Sequence, residues 1–176
     1  GNTVSNLSST RALRDVTNKH NGTYQASSVG EVNVVEKMKK SNAIIGGEGN
    51  GGVIYPELHY GRDALIGVAL FLTQLAERKI SAKQLRDSYP NYFISKNKIQ
   101  LTPEIDVDTI LSVLAQKYKN EQITRIDGLK IDFEEGWVHL RKSNTEPIIR
   151  IYAESEGEAK AHALAVQMII KIKELI

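Results

Sequence analysis

Residues 46–52 read GGEGNGG and directly follow a short apolar run at residues 43–45. Five glycines in seven positions predict backbone conformations that a side chain would forbid, or a close approach by a ligand. The apolar run predicts a buried strand, and the residues before it predict a helix, a strand and a second helix. This order is typical of an α/β unit with a parallel sheet, in which ligands bind at the carboxyl ends of strands.

Two side chains interrupt the glycine cluster, and they suggest what it could bind. Glu48 and Asn50 lie two residues apart, and both carry acceptors suited to vicinal hydroxyls, while the amide adds donors. A polyol such as a sugar fits this chemistry. A flexible tight connection with a solvated glutamate fits the bare pattern slightly better. A dinucleotide site is disfavoured, because the cluster does not match the GxGxxG pattern.

The rest of the chain predicts two domains joined by a connector. Residues 62–78 predict a helix that is apolar nearly all round and should therefore be packed on most sides, and residues 79–90 are polar. After them, the hydrophobic periods predict strands and helices in this order: strand 93–101, helix 107–118, strands 123–127, 129–133, 137–141 and 148–154, and helix 158–176. We expect an α/β partial domain with a mixed or parallel sheet, then a smaller α+β domain with helices on one face of an antiparallel sheet.

A second polar constellation lies between two of these strands, where residues 141–150 read RKSNTEPIIR. Strand alternation places Arg141 and Arg150 on the side of the sheet opposite the neighbouring apolar residues. Three residues between them offer hydroxyl and amide donors, and their backbone N–H groups can form an anion-binding concavity: Ser143, Asn144 and Thr145. The pattern predicts a phosphate cradle, with an exposed turn flanked by surface arginines as an equal alternative.

Composition limits the remaining classes of function. The net charge of +2 gives no reason to expect a nucleic acid or an anionic membrane as partner. The absence of cysteine excludes a disulfide scaffold, a thiolate zinc site and a cysteine nucleophile. The four histidines are scattered without metal-ligand spacing, so each is expected to be a surface or packed residue. With no signal peptide or membrane-length apolar run and no initiator Met, we interpret the chain as a fragment of a cytoplasmic protein.

Taken together, the two constellations make the chain similar to a known family. GGEGNGGVIYPE at 46–57 and RKSNTEPIIRIYAE at 141–154 resemble the sugar-recognition loop and the phosphate-binding loop of the α-D-phosphohexomutases. This is the family of phosphoglucomutase, phosphomannomutase and phosphoglucosamine mutase. The resemblance implies that residues 1–78 are the C-terminal part of domain 3, that 79–90 are a hinge, and that 91–176 are domain 4.

The resemblance also implies roles for individual residues. Glu48 and Asn50 would bind sugar hydroxyls. The non-reacting phosphate of the substrate would be bound by Arg141, Ser143, Asn144, Thr145 and Arg150. Many family members have His where Gly52 stands, so the role of that His is not carried over to this chain.

For the full-length protein, the resemblance implies an isomerase. It would interconvert hexose or hexosamine 1-phosphates and 6-phosphates through a phosphoserine enzyme and a bisphosphate intermediate, with a sugar bisphosphate as activator. The phosphoserine loop and the ligands of Mg²⁺ belong to family domains outside this chain, so we expect no catalytic or metal-binding residue here and an inactive isolated fragment. The alternative is a non-catalytic module that binds a sugar phosphate or a nucleic acid.

Overall fold

The computed structural model describes residues 1–102, 104–143 and 146–176. The chain folds into two compact units, Gly1–Asn91 and Tyr92–Ile176. The elements of the first unit are β1 Thr3–Asn6, α1 Ala12–Lys19, β2 Tyr24–Ser27, α2 Glu31–Ser41, β3 Ile45–Glu48, β4 Gly52–Tyr55, β5 His59–Arg62, α3 Ala64–Arg78 and α4 Ala82–Asp87.

The first unit is built on one mixed sheet with the strand order β2-β1-β3-β4-β5. β1 is parallel to both β2 and β3, whereas β4 and β5 add to the sheet as antiparallel strands. The α/β class expected from the sequence is confirmed. The sequence patterns did not predict β1, β4 or β5. β1 reads TVSN and has only one large apolar side chain, Val4, so it lacks the apolar pattern of a central strand.

Hydrogen bonds explain how such a polar strand can occupy the middle of the sheet. The hydroxyls of Thr3 and Thr17 are 2.7 Å apart, and those of Ser5 and Tyr24 are 2.9 Å apart. Buried hydroxyls that find partners in this way avoid most of the cost of leaving water. Val4 meets the small core of the unit, which also contains Val34, Met38, Ala43 and Ile54.

The glycine cluster is strand and turn rather than a single loop. The predicted strand at 43–45 is displaced, because β3 runs from Ile45 to Glu48 and includes the first two glycines of the cluster. A Cβ at Gly46 would lie 2.4 Å from the Sδ atom of Met38, and one at Gly47 would lie 2.0 Å from the carbonyl oxygen of Gly52. These two glycines therefore allow a helix and a neighbouring strand to approach closely.

The prediction that the helix after Arg62 is packed on most sides is wrong. None of the residues of α3 is buried, and Leu65 is 81% exposed. The helix meets β4 where Gly67 faces Val53, since a Cβ at Gly67 would be 3.2 Å from a methyl carbon of Val53. An apolar composition indicates that a helix is expected to pack against other parts of a protein. It does not show that the packing partners belong to this chain.

The second unit has one antiparallel sheet in the order β6-β10-β9-β8-β7. Its elements are β6 Phe93–Gln100, α5 Val107–Lys117, β7 Gln122–Thr124, β8 Leu129–Phe133, β9 Gly136–Lys142, β10 Ile148–Ser155 and α6 Glu158–Lys173. Residues from four strands and both helices form one core, among them Ile99, Ile131, Leu140, Ile151, Leu114 and Met168. The expected α+β arrangement is confirmed, although β7 ends three residues before the predicted 127.

Within residues 1–102, 104–143 and 146–176, no helix has the length and apolar character needed to span a bilayer.

Two matched truncations in the first unit test the contrast between its core and α3. Met38→Ala should lower the free energy of unfolding by about 2–5 kcal/mol, because it leaves a cavity under the sheet. Leu65→Ala should change it by less than about 0.5 kcal/mol, because the side chain is in solvent. Urea unfolding followed by circular dichroism measures both. Comparable losses in the two variants would show that α3 is covered after all.

Candidate functional site

The carboxylate of Glu48 lies where the carboxyl ends of β1 and β3 meet the loop after β2. The Oε1 atom of Glu48 accepts a hydrogen bond from Nδ2 of Asn6 at 2.8 Å and another from the backbone N–H of Gly30 at 3.1 Å. The side chain is only 6% exposed. Glu48 is thus a fixed group at the strand edge and not the solvated side chain of a flexible connection.

A second set of hydrogen bonds ties the loop after β1 to the glycine turn. Oδ1 of Asn6 accepts from the backbone N–H of Ser8 at 3.0 Å and from the hydroxyl of Ser9 at 2.9 Å. The hydroxyl oxygen of Ser9 in turn accepts from the backbone N–H of Gly49 at 2.9 Å. Asn6 therefore holds Glu48 with its amide nitrogen and the adjacent loop with its amide oxygen.

The second carboxylate oxygen of Glu48 has a different environment. It lies 3.9 Å from Nη1 of Arg62, and among the described residues no hydrogen bond reaches it. Arg62 itself is held by Glu31, whose Oε2 accepts from Nε at 2.8 Å and whose Oε1 accepts from the backbone N–H of Arg62 at 3.2 Å. Oε2 of Glu48 therefore keeps acceptor capacity for a ligand hydroxyl beside a fixed positive charge.

Asn50 lies in the turn between β3 and β4. Its Oδ1 accepts from the backbone N–H of Gly52 at 3.1 Å, and its amide N–H₂ can donate to a ligand. Gly51 beside it has φ +94°, a value that favours glycine. Asn50 lines a cavity of about 470 Å³ together with Glu31, Gly51, Gly52, Arg62, Asp63 and Ala64. Glu48 is not among these lining residues.

Asp63 adds a negative charge to the wall of this cavity. Its carboxylate caps α3 by accepting from the backbone N–H groups of Leu65 and Ile66, and it lies 3.1 Å from Nε2 of His59. The hydrogen bond from Ile66 and then that from His59 lower the pKa of Asp63. The carboxylate is therefore ionised at neutral pH.

In the second unit, strand register aligns three cations. Arg150 of β10 pairs directly with Arg141 of β9 on one side and with Lys98 of β6 on the other. Directly paired residues of antiparallel strands share a sheet face, so Arg141 and Arg150 lie on one side as the alternation predicted. Like charges directly opposite one another destabilise a sheet, so this row of Lys98, Arg150 and Arg141 is suited to an anionic ligand.

Nearby groups balance only part of this charge. Nη1 of Arg141 is 3.6 Å from Oδ2 of Asp127, and Nη2 of Arg150 is 3.5 Å from Oε2 of Glu146. Nε of Arg150 is buried and has no hydrogen-bond partner among the described residues. Both pairs are long and partly solvated, so they leave guanidinium donors available.

The predicted anion-binding concavity of the 143–145 turn is only partly described. Ser143 is buried, and its backbone N–H donates to the carbonyl of Ile148 at 3.1 Å, so that N–H serves the hairpin and not a ligand. This corrects the expectation that all three backbone N–H groups form the concavity. Asn144 and Thr145 lie outside the described residues.

His139 holds the turn that carries Asp127. It is 2% exposed, and its Nε2 lies 2.6 Å from the carbonyl oxygen of Asp127. Since a carbonyl only accepts, Nε2 carries the proton. Burial lowers the pKa of His139, with the bond to Asp127 opposing it. The turn is also tight, because a Cβ at Gly128 would lie 2.2 Å from the carbonyl oxygen of Leu140.

Sequence reasoning missed several residues that build these sites. Asn6 and Gly30 are 42 and 18 residues from Glu48 in the sequence, and their roles depend on the strand order β2-β1-β3. For Gly30 the one signal available was the short polar loop after the strand predicted before α2. The sequence patterns gave no signal for Asn6, because they did not predict β1. Lys98 could have been found from its place in a predicted strand only if the pairing register were known.

The pKa of His139 leads to a pH-dependent stability. In the unfolded chain a histidine titrates near pH 6.5, whereas folded His139 resists protonation. Stability contributed by the neutral side chain is therefore present above pH 6.5 and lost as the pH falls towards the folded pKa. We expect the free energy of unfolding to fall between pH 7 and pH 5, and to fall less in His139→Asn, as measured by urea unfolding.

The exposed His162 provides the matched control for that experiment. His162→Asn should keep the pH dependence of the unmodified chain. Equal slopes for His139→Asn and the unmodified chain would contradict the assignment.

Curated relatives match almost the whole chain. It is 35% identical over 167 residues to a phosphoglucosamine/phosphogalactosamine mutase of Sulfurisphaera tokodaii, with 94% of this chain covered. It is 34% identical over 173 residues to a phosphoglucomutase/phosphomannomutase of Thermococcus kodakarensis, with 97% covered. The chain spans 37% of the length of each of these relatives.

A solved structure shows the same fold. The phosphoglucomutase/phosphomannomutase family protein of Burkholderia thailandensis superposes with a TM-score of 0.79 at 24% identity, covering 98% of this chain and 37% of that one.

Family models match both units. The model described as phosphoglucomutase/phosphomannomutase, alpha/beta/alpha domain III, matches residues 1–92. The model described as phosphoglucomutase/phosphomannomutase, C-terminal domain, matches residues 97–171. The resemblance seen in the two polar constellations is confirmed, and the chain belongs to the phosphoglucomutase/phosphomannomutase family.

Proposed function

We propose that this chain is the C-terminal part of a cytoplasmic hexose-phosphate mutase, an isomerase that interconverts sugar 1-phosphates and 6-phosphates. The observation that carries the proposal is the carboxylate of Glu48, held through Oε1 at the edge of the sheet while Oε2 keeps acceptor capacity. Membership of the family and the names of the relatives support a hexose or hexosamine phosphate as substrate. In the proposed reaction a phosphoserine donates its phosphate and a sugar bisphosphate is the intermediate, which also serves as activator.

The sugar would be held by Glu48 and Asn50. Oε2 of Glu48 accepts a hydrogen bond from one sugar hydroxyl, and the amide N–H₂ of Asn50 donates to another. Because Glu48 is fixed before the ligand arrives, little conformational entropy is lost when the hydroxyl binds. The pair therefore favours a defined orientation of the sugar ring.

The phosphate that does not react would be held in the second unit. Arg141 and Arg150 supply charged donors, and Ser143, Asn144 and Thr145 belong to the same proposed cradle. Lys98 completes the row across the sheet. A phosphate bound remotely from the reacting oxygen supplies binding energy that can be used at the transition state.

A mutase must hold one sugar in two opposite orientations, and this division of contacts suits that requirement. A phosphate cradle that accepts either phosphate, combined with hydroxyl contacts used in both orientations, would bind both isomers. Residues 79–90 are the proposed hinge that would let the cradle close over the substrate and exclude water.

Magnesium would belong to the part of the proposed enzyme that this chain does not include. Among residues 1–102, 104–143 and 146–176, no group of three or more His, Asp or Glu side chains is placed to hold a metal ion. When bound, the ion would neutralise charge during phosphoryl transfer. The residues of this chain would bind and orient the sugar phosphate.

The proposal is tested by kinetics of the full-length protein with glucose, mannose and glucosamine 1-phosphates. Arg141→Ala should raise KM and lower kcat/KM on the order of 10- to 1000-fold, because a charged phosphate contact is lost. Arg125→Ala, whose side chain is exposed and bonded to Ser112, is the matched control and should stay near the unmodified enzyme. No mutase activity with any of the sugars would refute the proposal, and unchanged kinetics in Arg141→Ala would remove that residue from the site. The 176-residue chain alone should show no conversion.

A second kinetic test concerns the row of cations. Lys98→Met should raise KM about three- to tenfold, because it removes one charge facing the phosphate. Lys96→Met removes the same charge from the same strand. Lys96 lies two residues before Lys98 and pairs with Tyr152 instead of an arginine, with Nζ 5.5 Å from the centre of the Tyr152 ring. It should change KM less than about twofold. Equal changes in KM would show that the total charge of the surface matters and that alignment with Arg150 and Arg141 does not.

A further inference from the structure

We propose that Arg62 is the residue that positions Glu48 for its ligand, and that position 52 must be glycine to let Arg62 reach it. This inference rests on the function proposed above. It adds Arg62, a residue that lies outside both polar constellations. It follows from the register of β3, β4 and β5, from the space above Gly52, and from the ion pairs of Arg62.

Strand register puts the three residues on one face of the sheet. Gly52 of β4 pairs directly with Glu48 of β3, and Ile54, two residues along β4, pairs directly with Arg62 of β5. Residues two apart on a strand share a face, so the side chains of Glu48 and Arg62 start on the same side with Gly52 between them. Arg62 must therefore cross position 52 to approach Glu48.

The space above Gly52 is filled by the stem of Arg62. A Cβ on Gly52 would lie 2.6 Å from Cδ and 3.1 Å from Cγ of Arg62. Real Cβ atoms do not come within 2.6 Å of another carbon, so any side chain at position 52 would displace Cδ of the arginine. Glycine at position 52 therefore leaves room for the side chain of Arg62 to extend towards Glu48.

Two contacts from Glu31 hold Arg62 in that path, one at its guanidinium and one at its backbone. Glu31 accepts from Nε and from the backbone N–H of Arg62, and it lies in the first turn of α2. Nη1 is then 3.9 Å from Oε2 of Glu48, close enough for electrostatic attraction but too far for a hydrogen bond. The positive charge of Arg62 attracts the Glu48 carboxylate and keeps it in one place. Its Oε2 atom can still accept a hydrogen bond from a hydroxyl of the ligand.

The same contacts would also fit a purely structural clamp between β5 and α2, and the experiment has to separate the two roles. A structural clamp would lower stability and the amount of active enzyme without changing KM. A positioning role acts through Glu48, so it should change KM and should disappear when Glu48 no longer carries a charge.

The test is a double-mutant cycle in the full-length protein, with KM for the preferred sugar 1-phosphate and thermal unfolding as readouts. Arg62→Ala should raise KM about tenfold, and Gly52→Ala should raise it to a similar extent, because it displaces the guanidinium. Gly52→Ala/Arg62→Ala should be no worse than Arg62→Ala within about twofold. Arg62→Lys should recover part of the loss.

Controls and a Glu48 variant complete the design. Gly157→Ala, with open space around its Cβ position, and Arg78→Ala, at the exposed end of α3, should leave KM unchanged. In a Glu48→Gln background, Arg62→Ala should add less than about a twofold change.

Each outcome points to one conclusion. Additive effects of Gly52→Ala and Arg62→Ala, or a full Arg62→Ala effect in the Glu48→Gln background, would overturn the inference. A raised KM in Glu48→Gln together with an unchanged KM in Arg62→Ala would also overturn the inference. The proposed function would be compatible with that result. A normal Glu48→Gln enzyme would instead refute the proposed role of Glu48 itself.

Discussion

The pairing of the Glu48 carboxylate with Asn6 and with the backbone N–H of Gly30 is the contact on which the candidate sugar site depends. A nearly buried carboxylate is costly unless its oxygens find donors. Here the donors come from the end of β1 and from the loop after β2, so the cost is offset only when the three parallel strands are in register. The site and the sheet therefore form together, since Asn6 at the end of the polar central strand β1 supplies one of the donors.

The second unit uses charge in the opposite sense. Its sheet face gathers Lys98, Arg150 and Arg141 in one row, with Asp127 3.6 Å from Arg141 and Glu146 3.5 Å from Arg150. Such pairs contribute little stability in a partly solvated position. The unit is stabilised instead by the core on its other face, where α5 and α6 cover the sheet. This separation allows one face to remain positively charged without unfolding the domain.

Glycines serve two different purposes in the first unit. Gly46 and Gly47 permit close packing of α2 and β4 against β3, whereas Gly52 leaves room for the stem of Arg62. Only Gly51 of the cluster needs its unusual backbone angle. The composition of residues 46–52 suggests a mobile loop, but most of this run is a tightly packed hairpin. Neighbouring atoms fill the space that side chains would occupy at Gly46, Gly47 and Gly52.

Sequence alone determined the fold class of both units, most helices and strands, and the candidate residues Glu48, Asn50, Arg141 and Arg150, because hydrophobic period and local polar clusters are short-range properties. It did not reveal β1, the β4–β5 hairpin or the exposure of α3. Tertiary structure decided which donors hold Glu48, which cation reaches it past Gly52, and which lysine joins the two arginines. These contacts join residues that are distant in the chain, and they exist only once strand order and register bring those residues to one edge or one face of a sheet.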